Sequence, residues 1–309
     1  MGLRLVYGLK TNDSGYLDQF FPSRRLAEAA RQLGIDYKAM VFGPEATVAG
    51  TVDACRGHTA LLRGELPQSL YDSMEASGVV TVNGAEATAL ARDKYRSARF
   101  FESIGAAHPR TRMLDHVASE AIVDFPFVLK PRFGKMGRGV TPVESEPQWR
   151  KLAGSGMLGA DKYLIQDMVV ASRGVDIRFF FAAFDCDAHA SDRMDHPGGH
   201  PVEHPRMAGV SSVAVMRRSA GFASNAHAGG TMEPYEAPPG LRAEAERIFE
   251  LSGMRYGTVD FLVANREYSA FSVCEMNSCP GFEELERATG IDVAIAILRS
   301  ALAEPDRRD

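Results

Sequence analysis

The feature that most limits how this chain folds lies near its C-terminal end. Two apolar runs, Gly257–Val263 and Phe271–Asn277, flank the polar turn Asn265-Arg266-Glu267. That pattern predicts an antiparallel hairpin, with each run sheltering the other. Both runs carry polar groups where a core would favour apolar ones: Asp260 in the first, Glu275 and Asn277 in the second. Residues two apart on a strand share a face, so Glu275 and Asn277 point together while Cys274 and Met276 face the other way. The hairpin returns Asp260 to their neighbourhood. Two carboxylates and an amide oxygen are hard ligands, suited to Mg²⁺ (or Mn²⁺) that also binds nucleotide phosphates. Spacing alone equally describes a solvated hairpin face.

Upstream, short apolar runs alternate with amphipathic stretches over the first ninety residues. Leu3–Gly8, Asp36–Phe42 and Val79–Val82 read as strands, and Arg24–Leu33, between Pro22-Ser23 and Gly34, as a helix. This alternation predicts a small open α/β sheet. A second unit begins near Asp93, with a helix Lys94–Ile104 capped by Gly105, a strand Phe125–Lys130 and a strand Tyr163–Gln166. A third holds strands Asp176–Phe184, Ser211–Arg217 and Gly257–Val263, a helix Leu241–Leu251 and a terminal helix Asp292–Leu302, with Glu304–Asp309 as a polar tail.

Strand Phe125–Lys130 runs into a loop bearing Gly134, Gly137 and Gly139. Glycines there let backbone N–H groups approach phosphates, although the pattern is neither a P-loop nor a dinucleotide fingerprint, and a flexible hairpin would also use them. Lys130 ends the apolar run Phe127-Val128-Leu129, where a cation is costly unless it meets an anion. Lys94 opens a helix and, alone, reads as a surface residue. Arg217-Arg218, followed by Asn225, His227 and Gly229-Gly230, could hold a carboxylate or phosphate bidentately, or form a surface pair beside a turn.

Composition narrows the partners. The net charge of −5 and scattered basic residues argue against a nucleic-acid partner. No run of about twenty apolar residues is present to cross a bilayer, and the apolar start is too short for a secretory signal. Cys55, Cys186, Cys274 and Cys279 form no CxxC pair and fit free thiols in the cytoplasm.

From about Asp93 onward the order of segments resembles ATP-grasp ligases of the ribosomal-protein glutamate ligase (RimK-type) group. The matching pieces are Asp93-Lys94, Phe127–Pro131, Gly134–Val140, Ile165–Asp167, Gly174–Arg178, Arg217-Arg218, Asn225–Gly230 and Val259-Asp260. The long runs Glu275–Glu286 and Ala288–Ala294 complete the match, which covers roughly two-thirds of the chain. The resemblance implies a mixed α/β and α+β ATP-grasp fold. It would comprise an N-terminal α/β domain over 1–92, a central lid over 93–166 and a C-terminal unit over 167–309.

It further implies that Lys94 and Lys130 contact ATP phosphates under the loop of Gly134, Gly137 and Gly139. Gln166, Asp167, Met168 and Val169 would form the hinge along the adenine. Asp176 and Arg178 would lie near the ribose or acyl substrate, Arg217 and Asn225 around the transferred phosphoryl, and Asp260, Glu275 and Asn277 would hold the metal. The implied reaction joins a carboxylate to an amine through an acyl phosphate. It would add an amino acid such as glutamate to a small molecule, peptide or protein terminus. No protein nucleophile is needed, so the cysteines are not candidates. Two alternatives stay open: a kinase acting on a small-molecule hydroxyl, and a nucleotide-binding regulator without turnover. A homodimer is the default assembly.

Several positions depart from the group. Asp167 replaces a glutamate, and Ala223 and Ala228 replace frequent basic residues, which removes cations from the acyl-substrate side. The stretch 185–209 is an insertion with His189, His196, His200 and His204 among prolines and glycines. A second metal site or a substrate-specific flap would both fit it, the flap better.

Overall fold

The computed structural model describes residues 2–114, 124–134, 137–156, 158–159, 162–183, 210–222 and 230–303. The His-rich stretch, the segment containing Asn225 and His227, and the polar tail lie outside the described residues.

The first sheet is parallel, with strands β1 (Gly2–Gly8), β2 (Tyr37–Phe42), β3 (His58–Gly64) and β4 (Thr81–Val82) in the order β2-β1-β3-β4. Its alternating side chains are buried on both faces, as parallel sheets require. Leu3, Leu5 and Leu61 face the helix Phe21–Gln32, while Val6, Ala60 and Leu62 face helices Val48–Cys55 and Gln68–Ala76. The helix expected from Arg24 starts three residues earlier, because Pro22 suits the first helical turn, where its missing N–H costs nothing.

The second sheet contains β5 (Thr111–Met113), β6 (Phe127–Pro131), β7 (Thr141–Val143) and β8 (Tyr163–Asp167), ordered β5-β8-β6-β7. Phe127, Leu129 and Ile165 pack with Trp149 of helix Glu146–Ala153 on one face, which turns Val128, Lys130, Leu164 and Gln166 to the other.

The third sheet is antiparallel: β9 (Val175–Ala183), β10 (Val210–Arg218), β11 (Thr231–Pro234), β12 (Tyr256–Val263) and β13 (Phe271–Asn277), ordered β11-β10-β9-β12-β13. One face presents Ile177, Phe179, Phe181 and Phe261 to helix Pro239–Leu251, with Phe101 of helix Lys94–Ser103 in the same core. The opposite face is divided. Phe180, Ala182, Val213, Val215 and Tyr256 pack on the terminal helix Val293–Leu302, which also contacts the first sheet, so the first and third sheets share one core. Beyond that apolar half, the same face turns polar. Among the described residues, no helix is long and apolar enough to cross a membrane.

Candidate active site

The polar half of that face is set by strand register. Arg217 on β10 lies opposite Asp176 on β9; Arg178, two residues along β9, lies opposite Asp260 on β12; Asp260 lies opposite Glu275 on β13. Four adjacent strands therefore bring five charged side chains into one row. Arg178 donates bidentately to Asp260, from Nε to Oδ1 at 2.8 Å and from Nη2 to Oδ2 at 2.6 Å. Arg217 donates to both oxygens of Asp176 at 2.6 Å and to Asp260 Oδ2 at 2.9 Å. Asp260 is only 2 % exposed. Burial pushes its pKa up, but the charges and hydrogen bonds of Arg178 and Arg217 outweigh that and hold the carboxyl below its ordinary range. Arg217 shows the converse: burial acts against its charge, and Asp260 and Asp176 more than offset it.

The hairpin differs from strict alternation at one point. Asp260 pairs with Glu275 but Phe261 pairs with Val273, so Cys274 is an extra residue in a β-bulge. Val273 and Met276 both enter the core behind the sheet. The bulge puts Cys274 on the charged side with Glu275, opposite to the expected orientation. Its thiol is pushed well up, first by burial and next by the charge of Asp260. At the strand's end, Asn277 Oδ1 accepts from the Cys279 N–H at 2.9 Å.

The facing wall comes from the second sheet and the helix Lys94–Ser103. Lys130 is 7 % exposed and donates to Gln166 Oε1 at 3.0 Å, while Gln166 Nε2 donates to Thr111 Oγ1 at 2.8 Å. Burial lowers the Lys130 pKa, and Glu275 opposes that only in part. Lys94 joins the two walls: its Nζ donates to the Gly134 carbonyl at 2.8 Å and stands 3.5 Å from Glu275 Oε1. Asp93 fixes this helix start, capping the Tyr95 and Arg96 N–H groups while Arg132 donates to its carboxylate at 2.6–3.0 Å. Gly137 and Gly139 adopt φ of 67° and 75°, and a Cβ at Gly139 would lie 2.8 Å from Pro131 Cγ. The glycine loop is thereby folded back over its own strand.

The expected hinge begins in the last two residues of β8 and runs on to Val169. Asp167 and Met168 N–H groups donate to the Arg110 and Pro126 carbonyls at 3.0 and 3.4 Å, and the Val169 carbonyl accepts from Ser172 N–H at 3.0 Å. Sequence reasoning missed Asp93 as a cap, although Asp before a helix is a legible signal. It also missed the place of Cys274, for which a bulge leaves no mark in composition.

Residues 208–301 match a family profile described as a RimK-like ATP-grasp domain. Over 305 residues the chain is 26% identical to a probable alpha-L-glutamate ligase 1 of Shewanella amazonensis, covering 91% of each chain. A probable alpha-L-glutamate ligase of Thioalkalivibrio sulfidiphilus is 30% identical over 229 residues, 71% of this chain and 66% of that one. Among solved structures, a RimK domain ATP-grasp protein of Sphaerobacter thermophilus superposes with a TM-score of 0.64 at 21% identity, covering 97% of this chain and all of that one. This chain belongs to the ATP-grasp ligases.

ATP is the nucleotide that ATP-grasp ligases use, and the chemistry of this ligase's charged row can be tested against a metal that accompanies it. Among the described residues, no group of three or more His, Cys, Asp and Glu could hold a metal ion. Asp260 and Glu275 supply two carboxylates, and the amide oxygen of Asn277 can stand as a third protein donor. The three groups fit that role. Asp260 Oδ2 already accepts twice, but Oδ1 accepts once and keeps a lone pair; Asn277 Oδ1 also has one left after Cys279. All three are hard oxygens, the preference of Mg²⁺.

Proposed function

We propose that this protein is an ATP-dependent, ADP-forming carboxylate–amine ligase that acts through an acyl phosphate. Asp260, Glu275 and Asn277 would hold Mg²⁺, which offsets charge on the phosphoryl oxygens. The observation that carries the reading is the row Arg217–Asp176–Arg178–Asp260–Glu275, set by register across four strands and faced by Lys94 and Lys130.

A carboxylate resists amine attack because its carbon is electron-rich and oxide is a poor leaving group. Transfer of the ATP γ-phosphoryl to a carboxylate oxygen releases ADP and leaves phosphate as the leaving group. The amine then attacks the carbonyl carbon, the C–O bond to phosphate breaks, and the amine's proton leaves with solvent. Lys130, buried beside a neutral amide, is placed to bind phosphate oxygens, and Lys94 to fasten the glycine loop above them. Arg178 and Arg217 would orient the acyl group and take up charge developing on it, a role also proposed for Asn225. Gln166, Asp167, Met168 and Val169 would line the adenine, and Asp176 holds Arg217 in place. The loop of Gly134, Gly137 and Gly139 would exclude water from the acyl phosphate.

For the substrates, we assign an amino acid such as glutamate as the amine and a small-molecule, peptide or protein carboxylate as the acid, in keeping with the names of the two ligases above. We also assign units 1–92, 93–166 and 167–309, a cytoplasmic location and a homodimer. Incubation with ATP, Mg²⁺, an acid panel and hydroxylamine tests the chemistry. Acid-dependent hydroxamate with matching ADP release is expected. A stable phosphorylated product without hydroxamate would replace the ligase reading with a kinase.

A further inference from the structure

The open end of the charged hairpin is held by a side chain from the first sheet. Asn83 follows β4 and is 1 % exposed. Its Nδ2 donates to the Tyr256 carbonyl and to the Ser278 carbonyl, both at 2.8 Å, and its Oδ1 accepts from the Arg255 N–H at 2.7 Å. Tyr256 begins β12 and Ser278 follows β13. One amide thus bridges the strand that carries Asp260 and the strand that carries Glu275 and Asn277.

The Ser278 carbonyl and the Cys279 N–H belong to the same planar peptide, on opposite edges. That N–H is the one that donates to Asn277 Oδ1 at 2.9 Å. Asn83 therefore grips one edge of a rigid plate whose other edge orients the Asn277 amide. The contact also selects which end of the amide faces the N–H, since only the oxygen accepts. A flipped amide would offer NH₂ where a cation needs a lone pair.

A second carbonyl of the turn, two residues on, is also held by a side chain of the first sheet. Pro280 O accepts from Arg63 Nη2 at 2.7 Å, and Arg63, 2 % exposed, also donates from Nη1 to the Tyr256 hydroxyl at 3.1 Å. Its guanidinium lies over the rings of Tyr256 and Phe282 at 5.9 and 5.7 Å. A buried cation at this place is costly to keep if its only task is to glue two sheets, for which apolar packing would serve.

We propose that Asn83 and Arg63 are positioning residues for the Asn277 amide oxygen, acting through the turn Ser278–Pro280. The first sheet thereby sets the geometry of a cation site carried by the third. This rests on the reading of Asp260, Glu275 and Asn277 as that site.

The test is Mn²⁺ affinity in the presence of ADP, followed by water-proton relaxation, alongside Tm and the Mg²⁺ dependence of ADP formation. For Asn83→Ser, Mn²⁺ binding should weaken by about tenfold or more. The Mg²⁺ concentration for half-maximal rate should rise in step, with kcat at saturating Mg²⁺ largely kept. Arg63→Lys, which keeps the charge but loses the fork, should weaken binding to a smaller extent. It decides the matter if Asn83→Ser does not fold. Leu61→Val, in the shared core beside β1, should lower Tm while leaving Mn²⁺ affinity alone. Wild-type Mn²⁺ affinity in a folded Asn83→Ser, or losses that merely follow Tm across all three variants, would overturn the proposal. If instead Asp260→Asn binds Mn²⁺ as the wild type does, the cation reading itself falls and the proposal falls with it.

Discussion

The two walls that meet at Glu275 treat charge in opposite ways. On the third sheet, Arg178 and Arg217 are matched by Asp260 and Asp176 in short bidentate pairs, so the wall is electrically closed. On the second sheet, Lys130 is as buried as Arg217 but meets the neutral Gln166, and burial lowers its pKa. A pair satisfied from within can be placed early and rigidly. A buried cation with a neutral partner is held at a standing cost, which an incoming anion removes. The difference supports the proposed division, with phosphate at the lysine wall and substrate orientation at the arginine wall.

The largest effect should come from opening the closed wall. Asp260→Asn leaves the buried Arg217 and the partly buried Arg178 short of charge and should cost about 3–5 kcal/mol of stability at neutral pH in metal-free protein. The sign with pH is defined. The folded pKa lies below the ordinary 3.8, so Asp260 contributes fully above that value and loses its contribution as pH falls through the folded pKa. Urea titrations of both proteins from pH 7 downward should show the gap shrinking only below about pH 4. A gap that stays constant down to pH 3 would mean the pair is not what stabilises this wall.

The lysine wall should answer in the opposite sense. Lys130→Met is expected to lower ADP formation about 10²–10³-fold. It should also raise stability by roughly 1 kcal/mol, because an uncompensated buried charge is gone. Between the depressed folded pKa and the ordinary 10.5, the unfolded chain binds more protons, so wild-type stability rises with pH. The variant's advantage in Tm is therefore largest near neutrality and narrows toward pH 10. A variant less stable than the wild type at pH 7 would erase the contrast between the walls.

How much of this contrast was legible in the sequence depends on the kind of information it needs. The hairpin, β9 and β10 announced themselves through apolar runs and a polar turn, and Lys130 through its place at the end of such a run. The strand β3 did not, because between His58 and Arg63 only Ala60, Leu61 and Leu62 are apolar, a run that no periodicity singles out. Register was out of reach as well. That Arg217 meets Asp176 and Arg178 meets Asp260 is a property of three strands aligned by the whole sheet. The bulge at Cys274 reversed one predicted facing for the same reason. Nothing in the sequence marked Asn83, because its side chain's four hydrogen bonds go to Arg255, Tyr256 and Ser278, all more than 170 positions away.

Lys94 tests the seam between the walls. It is the residue that ties the Gly134 carbonyl to Glu275, and Lys94→Met should free the glycine loop from the third sheet. An about tenfold rise in the KM for ATP is expected, the equivalent of one charged hydrogen bond. The fall in Tm should be small, since helix Lys94–Ser103 keeps its Asp93 cap. A large loss of Tm with unchanged KM would show that Lys94 supports the fold and not the loop.

The smallest effect sharpens the same point through two glycines with nearly the same backbone. Gly139 in the loop has φ of 75° and Gly34, after the first helix, has φ of 66°. Alanine in this region costs about 1–2 kcal/mol at either place. The surroundings differ: nothing lies within 4 Å of a Cβ at Gly34, whereas at Gly139 it would press on Pro131 Cγ at 2.8 Å and Cδ at 3.3 Å. Those are ring carbons of β6, and they cannot swing aside as a flexible side chain would. Gly34→Ala should thus lower Tm and leave kinetics alone. Gly139→Ala should instead push the loop off its strand, raising the KM for ATP by roughly fivefold for about 1 kcal/mol. Equal shifts in Tm and no change in KM for both variants would mean that the loop's fold over Pro131 plays no part in covering the nucleotide.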